Sequence, residues 1–201
     1  MMELASTELN KVKLSDKKKF FCSWIGNPLQ VGAVAPSGQE LARTMASHVE
    51  CDSDAPVIEL GPGTGPVTAA LTERGIAEER LILVEYGAEF CAMLHERFPK
   101  ATIVRGDAYA LTKTLSSALA GRACATVSSL PLMMKPPHIR QALLNEALSL
   151  MAPGSPFVQF TYALVPPIER HPGLYTTSVS RRIWKNIPPA RVWVYRAKAI
   201  S

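Results

Sequence analysis

The sequence lacks paired cysteines. Its four thiols, Cys22, Cys51, Cys91 and Cys124, lie dozens of residues apart with no C-x-x-C spacing. That excludes a disulfide framework and the usual zinc patterns, so no metal is expected, and the thiols read as reduced groups of a cytosolic protein. Long apolar runs are also missing: nothing approaches the roughly 18 residues of a spanning helix. The opening MMELASTELNKVKLSDKKKF has no continuous apolar stretch of signal-peptide length. Neither secretion nor a transmembrane anchor is expected. Proline and glycine are plentiful but scattered between periodic segments, which leaves no room for a low-complexity linker or an internal repeat. A chain of 201 residues then holds one domain, expected over 36–201, behind a short arm over 1–35.

Acidic residues are scarce at both ends. Residues 165–201 carry Arg170, Arg181, Arg182, Lys185, Arg191, Arg196 and Lys198 against Glu169 alone, and residues 1–20 carry five lysines against Glu3, Glu8 and Asp16. Since the whole chain is only +5, the middle is net acidic. Basic ends on such a body suit an anionic partner surface, either nucleic acid or an acidic membrane leaflet, or else form a solvated basic face.

Hydrophobic periodicity orders the rest. Residues 36–50 (PSGQELARTMASHVE) repeat Leu41, Met45 and Val49 four apart, the spacing of an amphipathic helix. Residues 56–60 (PVIEL) read as a strand stopped by GPGTG, and residues 66–74 as a helix opened by Pro66 and closed by Gly75. Strands are expected over 80–85, 101–104, 123–128 and 156–162, with helices over 88–97 and 137–151 between them. This β-α-β order predicts a mostly parallel sheet with right-handed crossovers and helices on both faces. Residues 174–185 and 190–197, joined by NIPP, alternate as an antiparallel hairpin that closes the sheet.

In VIELGPGTG, Gly61, Gly63 and Gly65 fall between the first strand and its helix, where a cofactor can approach the backbone. Glu85 closes the second strand where a carboxylate can accept from both ribose hydroxyls, and Asp107 follows the third, within reach of an adenine amino group. The third glycine of a dinucleotide fingerprint would fall on Pro66, and Glu59 suits the amino group of a methionine moiety, which NAD lacks. S-adenosylmethionine is therefore the expected cofactor, on a Rossmann-like class I methyltransferase α/β fold of seven strands.

From about Phe20 to Arg196 the chain resembles the bacterial phospholipid N-methyltransferases that convert phosphatidylethanolamine toward phosphatidylcholine. The stretches that carry this are GAVAPSGQELA, VIELGPGTGPVT, LVEYGAEF, RGDA, SSLPL, QFTY and NIPPARVWVYR. The resemblance implies cofactor roles for Glu59, Gly61, Gly63, Gly65, Glu85, Tyr86, Asp107 and Ala108, with Pro36 and Ser37 as a lid over the methionine end. It implies that Ser128, Ser129, Leu130 and Pro131 shape the methyl-transfer site. Tyr162 and Tyr175 could present phenol oxygens or π faces to the cationic product, His171 and Tyr175 are candidates for proton handling, and Arg181, Arg182 or Arg191 could hold the lipid phosphate. The architecture is also similar to the rRNA adenine dimethylases, whose N-L-P-Y motif is here Ser129-Leu130-Pro131-Leu132. Leu132 cannot stack on a base, so a nucleic-acid adenine is the alternative substrate and disfavoured. In DKKKFFCSWIGNP, Lys17, Lys18 and Lys19 join Phe20, Phe21, Trp24 and Ile25, whose helical angles span about 140°. That pattern suits reversible docking on an anionic membrane, which would place the protein peripherally on the inner face of the cell membrane, or a cover helix over the cofactor cleft.

Overall fold

The computed structural model describes residues 36–50 and 54–198. The chain divides into residues 1–35 and 36–201. The arm, with Lys17, Lys18, Lys19, Phe20, Phe21 and Trp24, lies outside the described residues, as do the side chains of Pro36 and Ser37.

Helix α1 (Pro36–Ala46) buries Leu41, Ala42 and Met45, and stops short of Val49, which is buried in the turn that follows. Strand β1 (Val57–Leu60) leads through the glycine loop into α2 (Pro66–Glu73), where a left-handed Gly65 precedes the helix and Pro66 occupies a first-turn position that needs no N–H. Then come β2 (Leu81–Glu85), α3 (Ala88–Arg97), β3 (Thr102–Arg105), the short α4 (Leu111–Thr114), β4 (Ala125–Ser128), α5 (Pro137–Leu150) and β5 (Pro156–Thr161). Strands β6 (Tyr175–Val179) and β7 (Arg191–Ala197) form the hairpin, though β6 is shorter than its pattern and the connection runs over residues 180–190. Above β6, Ser180 and Ile183 still bond back to Val192 and Ala190, but not as a regular ladder.

The sheet order is β3-β2-β1-β4-β5-β7-β6. The first five strands run parallel, and β7 is antiparallel to both of its neighbours. Central strands are buried on both faces, which explains why VIEL and LILVE read as unbroken apolar runs rather than alternations. Residues alternate between two cores: Val57, Val127 and Val158 pack with α1, α2 and α3, while Ile58, Leu60 and Phe157 pack with α4 and α5. This is the expected class I methyltransferase architecture. Strand order reverses between β1 and β4, and the crevice outside their carboxyl ends is where such sheets take ligands.

Candidate active site

Glu59 stands on β1 in register with Leu83 and Val127 and is fully buried. Thr68 of α2 donates to its Oε2 at 2.8 Å, and Oε1 has no hydrogen-bond partner. Burial pushes this carboxyl up to about 8 against the opposing effect of Thr68. As a core group it is incomplete, because buried polar atoms are normally paired. As a receptor for a cationic amine it is well matched, since an arriving positive charge favours the ionised form.

The loop that follows has three left-handed glycines, at φ 65°, 56° and 80° for Gly61, Gly63 and Gly65. Their surroundings differ. A Cβ on Gly61 would lie 2.9 Å from Leu130 Cδ2 and one on Gly65 2.6 Å from Phe98 Cε2, whereas nothing lies within 4 Å of the Gly63 position. Two glycines thus serve protein packing, and the middle one faces open space. Glu85 ties this loop to the next: its Oε2 accepts from Gly63 N at 3.2 Å and its Oε1 from Gly87 N at 2.8 Å. That tether has no local signal in the sequence. Asp107, exposed at the end of β3, caps the next turn by accepting from Tyr109 N at 2.8 Å, with Ala108 buried beside it. Tyr86 projects from the end of β2 and is 78% exposed.

At the end of β4, buried Ser128 pairs with Leu60 on one side and Gln159 on the other. Its Oγ accepts from Leu130 N at 3.4 Å. Gln159, fully buried on β5, donates through Nε2 to the Leu130 carbonyl at 3.0 Å and to Phe160 O at 2.8 Å. Sequence reasoning gave Gln159 no role, although QFTY was among the quoted motifs; its buried amide is what pins the Ser129-Leu130-Pro131 turn. Leu132 is buried in the core and makes no part of the crevice surface.

Tyr162 follows β5 and meets Phe160 edge-on at 5.3 Å. Burial pushes its phenol up to about 12 despite its hydrogen bond with Asn186, so it stays protonated at neutral pH and is no general base. The expectation for Tyr175 needs correction. Tyr175 pairs with Ala197, level with the start of β5, so its backbone lies at the opposite edge of the sheet from the crevice. Its hydroxyl is committed to the Glu169 carbonyl and to Gln141 Oε1, and His171 packs edge-on against its ring at 5.9 Å. Tyr175 is thereby held away from the crevice, while exposed His171 stands beside Pro137 and His138 at the start of α5. Arg191 pairs with Thr161 at the carboxyl edge, where Arg181 and Arg182 also lie in the 180–190 connection, Arg182 reaching Pro189 O at 3.4 Å.

No family model matches the chain. An ornithine lipid N-methyltransferase of Singulisphaera acidiphila is 31% identical over 134 residues, which is 65% of this chain and 70% of that protein. The chain belongs to the family of this lipid N-methyltransferase. A second relative, ribosomal RNA small subunit methyltransferase A of Phenylobacterium zucineum, is 38% identical over 94 residues; the match takes in 45% of this chain and only 31% of that protein. Among solved structures, a TehB-like S-adenosylmethionine-dependent methyltransferase of Corynebacterium glutamicum superposes with a TM-score of 0.59 at 14% identity, over 92% of this chain and 99% of that one. The family's activity is methyl transfer from S-adenosylmethionine, with S-adenosylhomocysteine as product. Among the described residues no group of His, Cys, Asp and Glu is placed to hold a metal ion, and no helix is long and apolar enough to cross a membrane.

Proposed function

We propose that the chain methylates the headgroup amine of a membrane amino lipid, phosphatidylethanolamine and its methylated derivatives in the first instance. The observation that carries this reading is the β4 turn, where Gln159 fixes the Leu130 carbonyl and Leu132 is buried instead of stacking. Such a turn offers no ring for a nucleobase to stack on. Glu59 would hold the cofactor's amino group, Glu85 its ribose, Asp107 and Ala108 its adenine, with Gly61, Gly63 and Gly65 along the chain between and Pro36, Ser37 and Tyr86 at the margins. When bound, the sulfonium supplies an electrophilic methyl group to an amine that attacks in line.

A primary ammonium resembling that of lysine has a pKa of about 10.4, so the amine must lose a proton before attack. Entry into a water-poor crevice favours the neutral amine, and the turn that carries Ser128, Ser129, Leu130 and Pro131 would aim its nitrogen at the methyl group. The proton leaves to solvent. Arg181, Arg182 and Arg191 would hold the anionic group beside the amine, a phosphate in phosphatidylethanolamine or a carboxylate in an ornithine lipid. The ornithine lipid is the second reading, favoured by the Singulisphaera relative. A radiolabelled methyl-transfer assay offering phosphatidylethanolamine liposomes, ornithine-lipid liposomes and structured RNA side by side tests both. Label in RNA with none in lipid would reverse the assignment. We further propose a cytoplasmic protein, bound peripherally and reversibly at the inner face of the cell membrane, with an arm over 1–35 and a catalytic domain over 36–201.

A further inference from the structure

Among the described residues nine large hydrophobic side chains are exposed, and seven of them belong to loops at the carboxyl edge of the sheet. Tyr86 follows β2, Met133 and Met134 follow β4, Leu164 and Val165 follow β5, and Trp184 and Ile187 lie in the β6–β7 connection. Only Leu174 and Val179 lie elsewhere. Trp184 is 73% exposed, Ile187 77% and Leu164 70%. Among the described residues the other large apolar side chains outside Leu174 and Val179 are buried or partly buried, and these seven stand at one edge, the edge that holds the crevice. Scattered exposed apolar residues need no explanation; a rim of them does.

Charge divides the same edge. Glu59, Glu85 and Asp107 belong to β1, β2 and the end of β3. The loops over the other half, residues 129–136, 162–168 and 180–190, carry Lys135, Arg181, Arg182 and Lys185 and no Asp or Glu at all. Arg182 lies over the Trp184 ring at 5.4 Å, and Lys185, with a largely exposed ammonium, reaches Glu40 of α1 at 3.5 Å. Exposed aromatic and aliphatic side chains among cations, with Glu40 paired to Lys185 beside them, match a bilayer boundary, where apolar groups enter below the headgroups and cations meet anionic lipid.

We infer that the loops at the ends of β5 and β6, with Trp184, Ile187 and Leu164 foremost, are a docking surface for an anionic lipid bilayer. This rests on the amino-lipid reading of the crevice and adds to it: the surface sets the mouth of the crevice against the leaflet, so that a headgroup amine is delivered without the lipid leaving the membrane. It is distinct from the arm.

Trp184 reports the contact directly. In full-length protein carrying Trp24→Phe, the indoles left are exposed Trp184 and buried Trp193. Vesicles of phosphatidylcholine with phosphatidylglycerol should shift the emission to the blue, and brominated acyl chains should quench it, while phosphatidylcholine vesicles alone should do little. The double variant Leu164→Ser, Ile187→Ser should lower partition into anionic vesicles about tenfold, and Lys185→Ala about fivefold at low salt. Both variants should methylate a short-chain, water-soluble amino lipid as the parent does. Emission indifferent to vesicles that bind the protein overturns the surface. So does emission that is blue-shifted without vesicles and moves red when residues 1–25 are deleted, because the arm would then occupy the rim. Blue shift without methylation of any lipid sinks the amino-lipid reading and supports the docking surface; methylation of dispersed lipid without a blue shift does the reverse.

Discussion

Glu59 carries the sharpest prediction at the scale of one residue. Folded, its carboxyl keeps its proton to about pH 8, whereas the unfolded group releases it near 4.5. The folded state therefore binds more protons across that window, and this group makes the ligand-free protein less stable as pH rises through it. Glu59→Gln should remove that slope, and its thermal midpoint should exceed that of the parent at pH 8. Cofactor binding should ionise the parent's carboxyl and release close to one proton at pH 7, seen as a calorimetric enthalpy that changes with the buffer's ionisation heat. A buffer-independent enthalpy would remove Glu59 from the amine site. The variant should bind S-adenosylmethionine about 10–100-fold more weakly, the scale of one charge-assisted hydrogen bond. The glycines make a second test. Gly65→Ala must move Phe98 and should lower stability, whereas Gly63→Val projects into open space. It should fold, at a strain cost of about 1–3 kcal/mol, and lose cofactor binding. Equal binding by Gly63→Val and parent would show that the loop does not approach the ligand. Glu85→Ala should also abolish binding. Because Glu85 ties Gly63 to Gly87, it should lower stability as well, by about 1–3 kcal/mol.

Among the elements, the β4 turn depends on a neighbour in space rather than in sequence. Gln159→Leu removes the amide that holds the Leu130 carbonyl. We expect kcat to fall about tenfold or more with the KM for S-adenosylmethionine little changed, and Gln159→Met, which has no donor, to resemble it. Unchanged kcat in both would leave the turn self-supporting. The contrast with the fold is instructive. Strands β1 and β2 and helix α5 were legible because continuous burial and a 3.6-residue period leave direct marks on composition, and the glycine loop and its acids follow from chain order alone. The role of Gln159, the tether of Glu85 to Gly63 and the burial of Leu132 were not legible, since each depends on packing between segments far apart in sequence. The same reason misled the reading of Tyr175. Its place in the chain, after β5, suggested the crevice, and only its pairing with Ala197 shows that its backbone lies at the other edge.

For the whole molecule the question is how many attachments hold it to a membrane. The proposed arm cluster of Lys17, Lys18, Lys19, Phe20, Phe21 and Trp24 and the rim around Trp184 would act as two weak sites on one chain, and two such sites bind far more tightly together than either alone when both can engage one surface. Deleting residues 1–25 should then weaken binding to anionic vesicles without comparable loss of fold, since the described helices and strands all lie beyond that segment. Each Lys or Arg at the surface contributes about 1 kcal/mol, an attraction screened over a Debye length of about 8–10 Å at ordinary salt. Apolar insertion is not screened. Replacing Lys17, Lys18 and Lys19 with Ala should therefore remove binding that salt also removes, and replacing Phe20, Phe21 and Trp24 with Ala should lower the part that survives high salt. Vesicle flotation of the two triple variants across a salt series separates these contributions. If both float like the parent at every salt concentration, the arm is no membrane element, and attachment falls to the basic, apolar loops around the crevice, where Leu164→Ser with Ile187→Ser would then abolish flotation instead of weakening it.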